Sequence, residues 1–163
     1  MFVRPVLWSL SLSLLLLAGC TPLPAYTRLA AEEQGLYRVY SRVMTPGQRR
    51  AYLALPTAVE RAAYARQVGA AQRFEALSAA DRAVVLGGRP VVGMSRQALL
   101  LLWGEPPIRQ GPEQYELWYY YGDEFSLAEP GYHAQLQANI MEVALEGGKV
   151  VWWAQRAPRP QTD

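Results

Sequence analysis

The chain has 163 residues, of which 51% are hydrophobic, with a single cysteine and a formal net charge of +2. This length suits one domain or two small ones with a hydrophobic core, and one cysteine excludes a scaffold held by internal disulfides. A net charge so close to zero gives no reason to expect a nucleic-acid partner.

The first twenty residues have the features of an export signal. Arg4 makes the start positive, residues 6–17 form an apolar run too short to span a bilayer as a helix, and small residues lead into Cys20. This ending resembles the lipobox of bacterial lipoprotein signal peptides. The resemblance implies that residues 1–19 are removed and that Cys20 carries covalent lipid, palmitate included, as a membrane anchor. Thr21, in place of an aspartate, implies the periplasmic face of the outer membrane.

The alternative for this terminus is an ordinary secretory signal that leaves Cys20 as a free or buried thiol. Under either interpretation the next segment, residues 20–44, is predicted to hold a short tether with two prolines and then a short helix over 32–44.

Residues 45–89 are predicted to form an arginine-rich helical segment. Capping signals at Thr45, Thr57 and Ser78 indicate helices over 46–54, 58–75 and 79–86. Residues 28–89 contain ten arginines against five acidic residues. A basic surface of this kind could bind anionic lipid headgroups, although solvated helix faces would have the same composition. The candidate headgroup ligands are Arg49, Arg50, Arg61, Arg66 and Arg73.

Residues 90–157 are predicted to form a helix packed on a three-stranded antiparallel sheet. The helix covers 97–103, with Ser95 as its cap and Gly104 beyond its end, and its leucine run lacks a polar face. The strands are expected over 115–121, 139–145 and 149–155, and two adjacent glycines join the last two as a hairpin. A loop over 122–137 and a flexible tail over 158–163 complete the chain.

Four short motifs in this part are similar to those of the SmpA/OmlA, or BamE-like, lipoprotein family. They are Gly93-Met94-Ser95, Trp103-Gly104-Glu105-Pro106, Leu117-Trp118-Tyr119-Tyr120 and Gly147-Gly148-Lys149-Val150. The resemblance covers residues 90–156 and implies an α+β fold, an acylated anchor in the outer membrane and a non-catalytic role. It also implies contacts with barrel-assembly subunits and phosphatidylglycerol. The helical segment 45–89 and the long loop depart from the family pattern.

Catalysis is not expected from this sequence. His133 is the sole histidine and lies in the predicted loop, without a cysteine or paired carboxylates at the spacing of metal ligands. Cys20 is consumed by acylation in the favoured interpretation. The sequence therefore predicts no enzyme, no metal, no cofactor apart from the covalent lipid, and no small-molecule substrate.

Aromatic side chains on the sheet are the best candidates for function. One face of the predicted sheet must cover the helix, and the other would still expose tyrosine or tryptophan, which are common in binding hot spots. Trp118, Tyr120 and Trp153 are the predicted partner contacts, unless residues 45–89 fold back over this face.

The predicted function is that of a non-enzymatic outer-membrane lipoprotein that docks on an envelope protein, with a barrel-assembly subunit as one candidate. Two alternatives stay open. One is a structural lipoprotein whose basic helices bind anionic lipid, and the other is an inhibitor of a periplasmic hydrolase, because such inhibitors share the helix-on-sheet architecture.

Overall fold

The computed structural model describes residues 25–130 and 139–156. Over these ranges the chain forms seven α-helices, one 3₁₀ helix and a four-stranded antiparallel sheet, so the predicted mixed α+β class is confirmed. The predicted signal peptide, Cys20 and the tail over 158–163 lie outside the described residues. The 3₁₀ helix is Ala25–Arg28. The other elements are α1 Ala31–Ser41, α2 Pro46–Ala54, α3 Ala58–Gln67, α4 Ala70–Glu75, α5 Ala79–Gly87, α6 Arg96–Trp103, β1 Ile108–Gln110, β2 Tyr115–Tyr121, α7 Glu124–Ala128, β3 Ile140–Glu146 and β4 Lys149–Arg156.

Side-chain caps start the helices where the sequence predicts them. The backbone N–H of Gln48 donates to Thr45 Oγ1 over 3.2 Å, and the N–H of Thr45 donates to Gln48 Oε1 over 2.8 Å. Thr57 forms the same reciprocal capping box at α3. Ser78 and Ser95 each accept one backbone N–H at the starts of α5 and α6. Each cap contributes about 1 kcal/mol because it satisfies a helix-terminal N–H that would otherwise have no partner.

The helix predicted over 58–75 is two helices. Gly69 has a φ of 78°, in the left-handed region, and it separates α3 from α4. Glycine adopts this conformation without the steric cost that a Cβ would add, so it can end one helix and start the next. The interruption allows Ala65 and Ala70, on either side of the turn, to be buried together in the core.

The sheet has four strands in the order β1-β2-β3-β4, whereas the sequence predicted three. The additional strand, β1, pairs with β2 through Arg109 opposite Trp118. It follows two prolines and spans three residues, so its sequence has no strand periodicity to detect. In the centre of the sheet, Val143 on β3 lies between Trp118 on β2 and Trp153 on β4.

The hairpin between β3 and β4 turns at Gly147 and Gly148 as predicted. Their φ angles are 55° and 75°, and two consecutive positive values are typical of the type I′ turn. Beyond the turn Val151 is an extra residue, because Val150 lies opposite Leu145 while Trp152 lies opposite Ala144. This bulge determines which β4 side chains face the helices.

The predicted loop over 122–137 begins with a helix, α7, that the sequence did not indicate. The Arg42 guanidinium donates to the backbone carbonyls of Leu127 and Glu129, and Tyr26 donates its hydroxyl to the Glu129 carboxylate over 2.6 Å. Burial lowers the pKa of Arg42 to about 10, and the hydrogen bond to Glu129 raises the pKa of Tyr26 to about 12. His133 lies outside the described residues.

One hydrophobic core joins the helices to the sheet. Helix α6 contacts α1 and α5, and its Trp103 ring packs edge-on against Tyr120 of β2, with 5.3 Å between ring centroids. The α6 leucine run is therefore covered from more than one side, as its lack of a polar face predicts. A second part of the core is a row of stacked rings from Tyr26 through Tyr37 to Tyr52.

Candidate functional site

The two faces of the sheet differ sharply in exposure. Side chains alternate along each strand, and directly paired residues of neighbouring strands share a face. We call the face that packs on the helices the inner face and the opposite one the outer face. From the pairing, the outer face comprises Ile108, Gln110, Tyr115, Leu117, Tyr119, Tyr121, Ile140, Glu142, Ala144, Glu146, Trp152, Ala154 and Arg156.

Two of the predicted partner contacts lie on the inner face and are buried. Trp118 is 0% exposed, and its Nε1–H donates to Glu116 Oε2 over 2.7 Å. Tyr120 is 2% exposed and donates its hydroxyl to the carbonyl of Gly104 over 3.2 Å. The expectation that they contact a partner is wrong for this structure, because both rings fill the space between sheet and helices.

Trp153, the third predicted contact, also belongs to the inner face but lies at its margin. It pairs with Val143 and packs against the core while staying half-buried. Trp152, its neighbour, points to the outer face, where it is also half-buried. Either tryptophan can therefore be reached from solvent, and they would contact a partner from opposite sides of the strand.

The inner face is stabilised by a largely buried ion pair that no local signal in the sequence indicates. Glu116 is 8% exposed and binds both the Arg96 guanidinium and the indole N–H of Trp118. The Arg109 guanidinium lies 4.5 Å from the centre of the Trp118 ring. Arg96 begins α6, so this cluster fixes the start of that helix to β2. With both oxygens bonded and no free nucleophile beside them, its chemistry is structural.

The outer face presents apolar surface. Tyr115 is 43% exposed and Ile108 38%, while Leu117, Tyr119, Tyr121, Ile140 and Trp152 are half-buried. The central charged pair is Glu142 with Arg156, which bond across β3 and β4. Burial and the nearby Glu142 carboxylate raise the pKa of Tyr119, so this phenol stays neutral at physiological pH. The result is a largely aromatic surface around one neutralised ion pair.

The prediction placed Trp118 and Tyr120 on the exposed face of β2, and in the structure their face is the buried one. Glu116 shares this buried face because Arg96 and Trp118 satisfy its carboxylate there. The alternation in β3 indicates the correct choice, because Met141, Val143 and Leu145 are apolar while Glu142 and Glu146 carry charge. The positions paired with that apolar row form the inner face.

The five arginines proposed for lipid headgroups divide into two groups. Arg61 forms an ion pair with Glu33 at 2.9 Å and donates to the carbonyl of Leu55, so its assignment to headgroups is wrong for this structure. Arg49 donates to the carbonyl of Ser41 over 3.1 Å and is half-buried. The other three, Arg50, Arg66 and Arg73, are exposed, and within the described residues no carboxylate pairs with them.

A groove lies at the end of the sheet, beside the β3–β4 turn. It has a volume of about 430 Å³ and is lined by Arg96, Gln97, Glu113, Gln114 and the two turn glycines. Its arginine is already bonded to Glu113 and Glu116. The groove therefore offers the amides of Gln97 and Gln114 and the ion pair of Arg96 with Glu113, whose carboxylate is largely exposed.

Within residues 25–130 and 139–156, no cluster of three or more histidine, cysteine or acidic side chains could hold a metal ion. None of the helices in the same ranges is long and apolar enough to cross a membrane. No protein-family model, curated protein or solved structure matches this chain.

Proposed function

We propose that this chain is a non-enzymatic outer-membrane lipoprotein that docks on an envelope protein through the outer face of its sheet. The observation that carries the proposal is the half-exposed aromatic surface around Tyr115, Tyr119 and Trp152. Tyrosine and tryptophan give a binding surface much contact area at little cost in conformational entropy, and they are enriched in hot spots.

Two features of the sequence support the membrane part of the proposal. The lipobox-like ending at Cys20 would place an acyl anchor at the start of the mature chain, and residues 21–24 would then separate it from the first helix. The similarity to SmpA/OmlA lipoproteins over residues 90–156 adds a barrel-assembly subunit as a candidate partner. Lipid labelling of the wild type and of Cys20→Ser tests the anchor, and an unlabelled wild type would refute it.

Site-specific photo-crosslinking tests the docking surface. A photoreactive amino acid replaces Tyr115, which is exposed on the outer face, and in a matched variant it replaces Val59, which is 79% exposed on α3. We expect the Tyr115 variant to crosslink to one envelope protein in living cells and the Val59 variant to give no such product. Equal products from both positions would contradict docking through the sheet.

Substitution provides the second arm of this experiment. Leu117→Ser and Trp152→Ser should abolish the crosslink from Tyr115, because they remove apolar area from the same outer face. Both side chains are half-buried, so thermal melting of each variant must show that the fold persists. A crosslink of unchanged yield in well-folded variants would refute the outer face as the docking surface.

The lipid-binding alternative is supported by the exposure of Arg50, Arg66 and Arg73. The purified Cys20→Ser chain is mixed with phosphatidylglycerol vesicles at low and high salt, beside a triple variant with glutamine at these positions. Binding that falls with salt and disappears in the triple variant would favour headgroup contact. If the Cys20→Ser chain and the triple variant bind the vesicles equally, the three arginines do not contact headgroups, and docking on an envelope protein stays the proposed function.

A further inference from the structure

Among residues 25–130 and 139–156, one edge of the sheet is open. Strand β4 is the last strand, and within these ranges its free edge is covered only at its beginning, where Val150 exchanges backbone hydrogen bonds with Gly93 and Met94 over 2.7 and 2.9 Å. The covering segment, Gly93 and Met94, leaves the edge at a turn over residues 91–94. A hydrogen bond from the Met94 N–H to the Val91 carbonyl closes this turn. Among the described residues, nothing pairs with the edge over residues 151–156. Six residues span about 20 Å of strand.

The opposite edge of the same sheet is protected. Strand β1 has three residues, carries Arg109 at its centre and follows Pro106 and Pro107. Short length, charge and proline are the devices by which natural proteins keep edge strands from pairing with other chains. In β4 no charged residue and no proline occurs from Val150 to Gln155. The bulge at Val151 lies beside the covered end and leaves the remaining edge free.

The side chains that border the open edge are mostly apolar or basic. Val91 and Val92, at the point where the covering segment turns away, are 44% and 66% exposed. The two segments that form this border, residues 89–96 and 149–156, contain four cations and no acidic residue. Three of the cations, Arg89, Lys149 and Arg156, have exposed side chains, and their carboxylate neighbours lie behind them on α7 and β3.

We propose that β4 is an acceptor strand, to which an extended segment of a partner protein adds as a fifth strand. The segment has apolar residues in its middle and acidic residues at its ends. Main-chain hydrogen bonds to residues 151–156 would give affinity, and the tryptophans on the two faces would contact alternate side chains of the added strand. This inference rests on the proposed function, because it specifies how a protein partner is held.

Charge favours such a segment over a second copy of this chain. Arg89, Arg96 and Arg156 are already paired with carboxylates, whereas Lys149 forms no ion pair among the described residues. Two copies paired antiparallel along β4 would place Lys149 of each copy beside the exposed Arg156 of the other, which like-charge repulsion opposes. A segment with carboxylates at its ends would instead lie between Lys149 at one end of the edge and Arg156 at the other. The occupant to test is therefore a short acidic-ended strand.

The experiment uses the full chain, purified in detergent, and three synthetic peptides with a central Val-Thr-Val-Tyr-Val-Thr sequence. The first has two glutamates at each end, the second has two lysines at each end, and the third is the first with its backbone nitrogens methylated. Hydrogen–deuterium exchange reports protection of the β4 amides, and fluorescence titration gives each dissociation constant.

We expect the glutamate-ended peptide to slow exchange at residues 151–156 and to bind about tenfold more tightly at low salt than the lysine-ended peptide. The methylated peptide should not bind, because it cannot donate to the edge. Lys149→Glu, a change at an exposed residue, should reduce or reverse this preference. Thermal melting of this variant serves as the folding control.

Three results would overturn the proposal. They are an absence of β4 protection at millimolar peptide, equal binding of the methylated peptide, and concentration-dependent protection of β4 without peptide, which would indicate self-association. In each case the crosslink from Tyr115 is a separate measurement. If that crosslink persists, docking on the outer face stands while the acceptor strand fails.

Discussion

Replacing Trp118 by alanine separates the structural role of this residue from a role in docking. The side chain is fully buried, donates to the buried Glu116 carboxylate over 2.7 Å and lies under the Arg109 guanidinium. Truncating a buried tryptophan to alanine costs about 3–5 kcal/mol through lost burial and the cavity left behind. Loss of a hydrogen bond to a buried carboxylate acts in the same direction. For a domain of this size the melting temperature should fall by about 10–20 °C.

Urea denaturation followed by far-ultraviolet circular dichroism measures this effect. Trp118→Phe is the first comparison, because it keeps most of the ring volume and removes the N–H donor, so its loss should be smaller. Trp152→Ala is the matched control on the outer face, where the half-buried ring should contribute about 1 kcal/mol. The reasoning is refuted if Trp118→Ala unfolds within 1 kcal/mol of the wild type while Trp152→Ala is the strongly destabilised variant.

Three further predictions concern acid stability, one turn and one half-buried cation. The Arg61 guanidinium holds the pKa of Glu33 below its usual value. The resulting stability is present above the unfolded-state pKa and is lost as pH falls through the folded-state pKa. The wild type should therefore lose urea resistance below about pH 5 more steeply than Glu33→Gln, and parallel curves would contradict this. Gly111→Ala should destabilise by more than about 1 kcal/mol, since φ is 90° and its Cβ would lie 2.4 Å from the Tyr115 carbonyl oxygen. Gly87→Ala is the control, because this glycine lies in a helix with open space around it, and the variant should lose no stability in the same denaturation experiment. Arg42→Gln should speed hydrogen exchange in α7, because Arg42 binds the carbonyl of Leu127 in this helix and that of Glu129 just beyond it, while Arg50→Gln should leave that exchange unchanged.

Local signals in the sequence predicted the elements with the strongest local chemistry. The capping boxes fixed the starts of α2 and α3, and the paired glycines fixed the β3–β4 turn. These features depend on residues within a few positions of each other, so they can be read without knowledge of the fold. Gly69 was the exception, because one glycine in a long alanine-rich pattern is compatible with either a continuous helix or a break.

Contacts between distant residues could not be predicted in the same way. Helix α7 is held by Arg42 and Tyr26, which are more than eighty residues away along the chain. The short strand β1 exists because β2 provides a pairing edge, and its own three residues have no detectable period. The faces of β2 were misassigned for the same reason, since the partner that makes a buried Glu116 acceptable is Arg96, twenty residues before it.

A short sequence pattern occurs twice in the helical segment, and the structure shows the same hydrogen bond in both copies. An aromatic residue and a leucine precede a capped helix start in two places, and in each case the arginine four residues after the capping Thr57 or Ser78 donates back to the leucine carbonyl. Arg61 bonds to Leu55 and Arg82 to Leu77, both over 2.7 Å. The repeated arginine therefore closes the turn between two helices. This explains part of the arginine excess in residues 28–89 without any lipid or acidic partner.

Alternating residues of β2 belong to the core and to the outer face, through which we propose that the protein docks. Tyr120 is 2% exposed, and burial raises its pKa well above the ordinary value, whereas the adjacent Tyr119 lies on the outer face beside Glu142. A change at an even position of β2 from 116 to 120 therefore acts on the core, and a change at an odd position acts on the outer face. Because docking can be lost through unfolding alone, only odd positions can test the proposed function. The same reasoning favours Lys149 for testing the β4 edge, because it is exposed and lies outside the shared core.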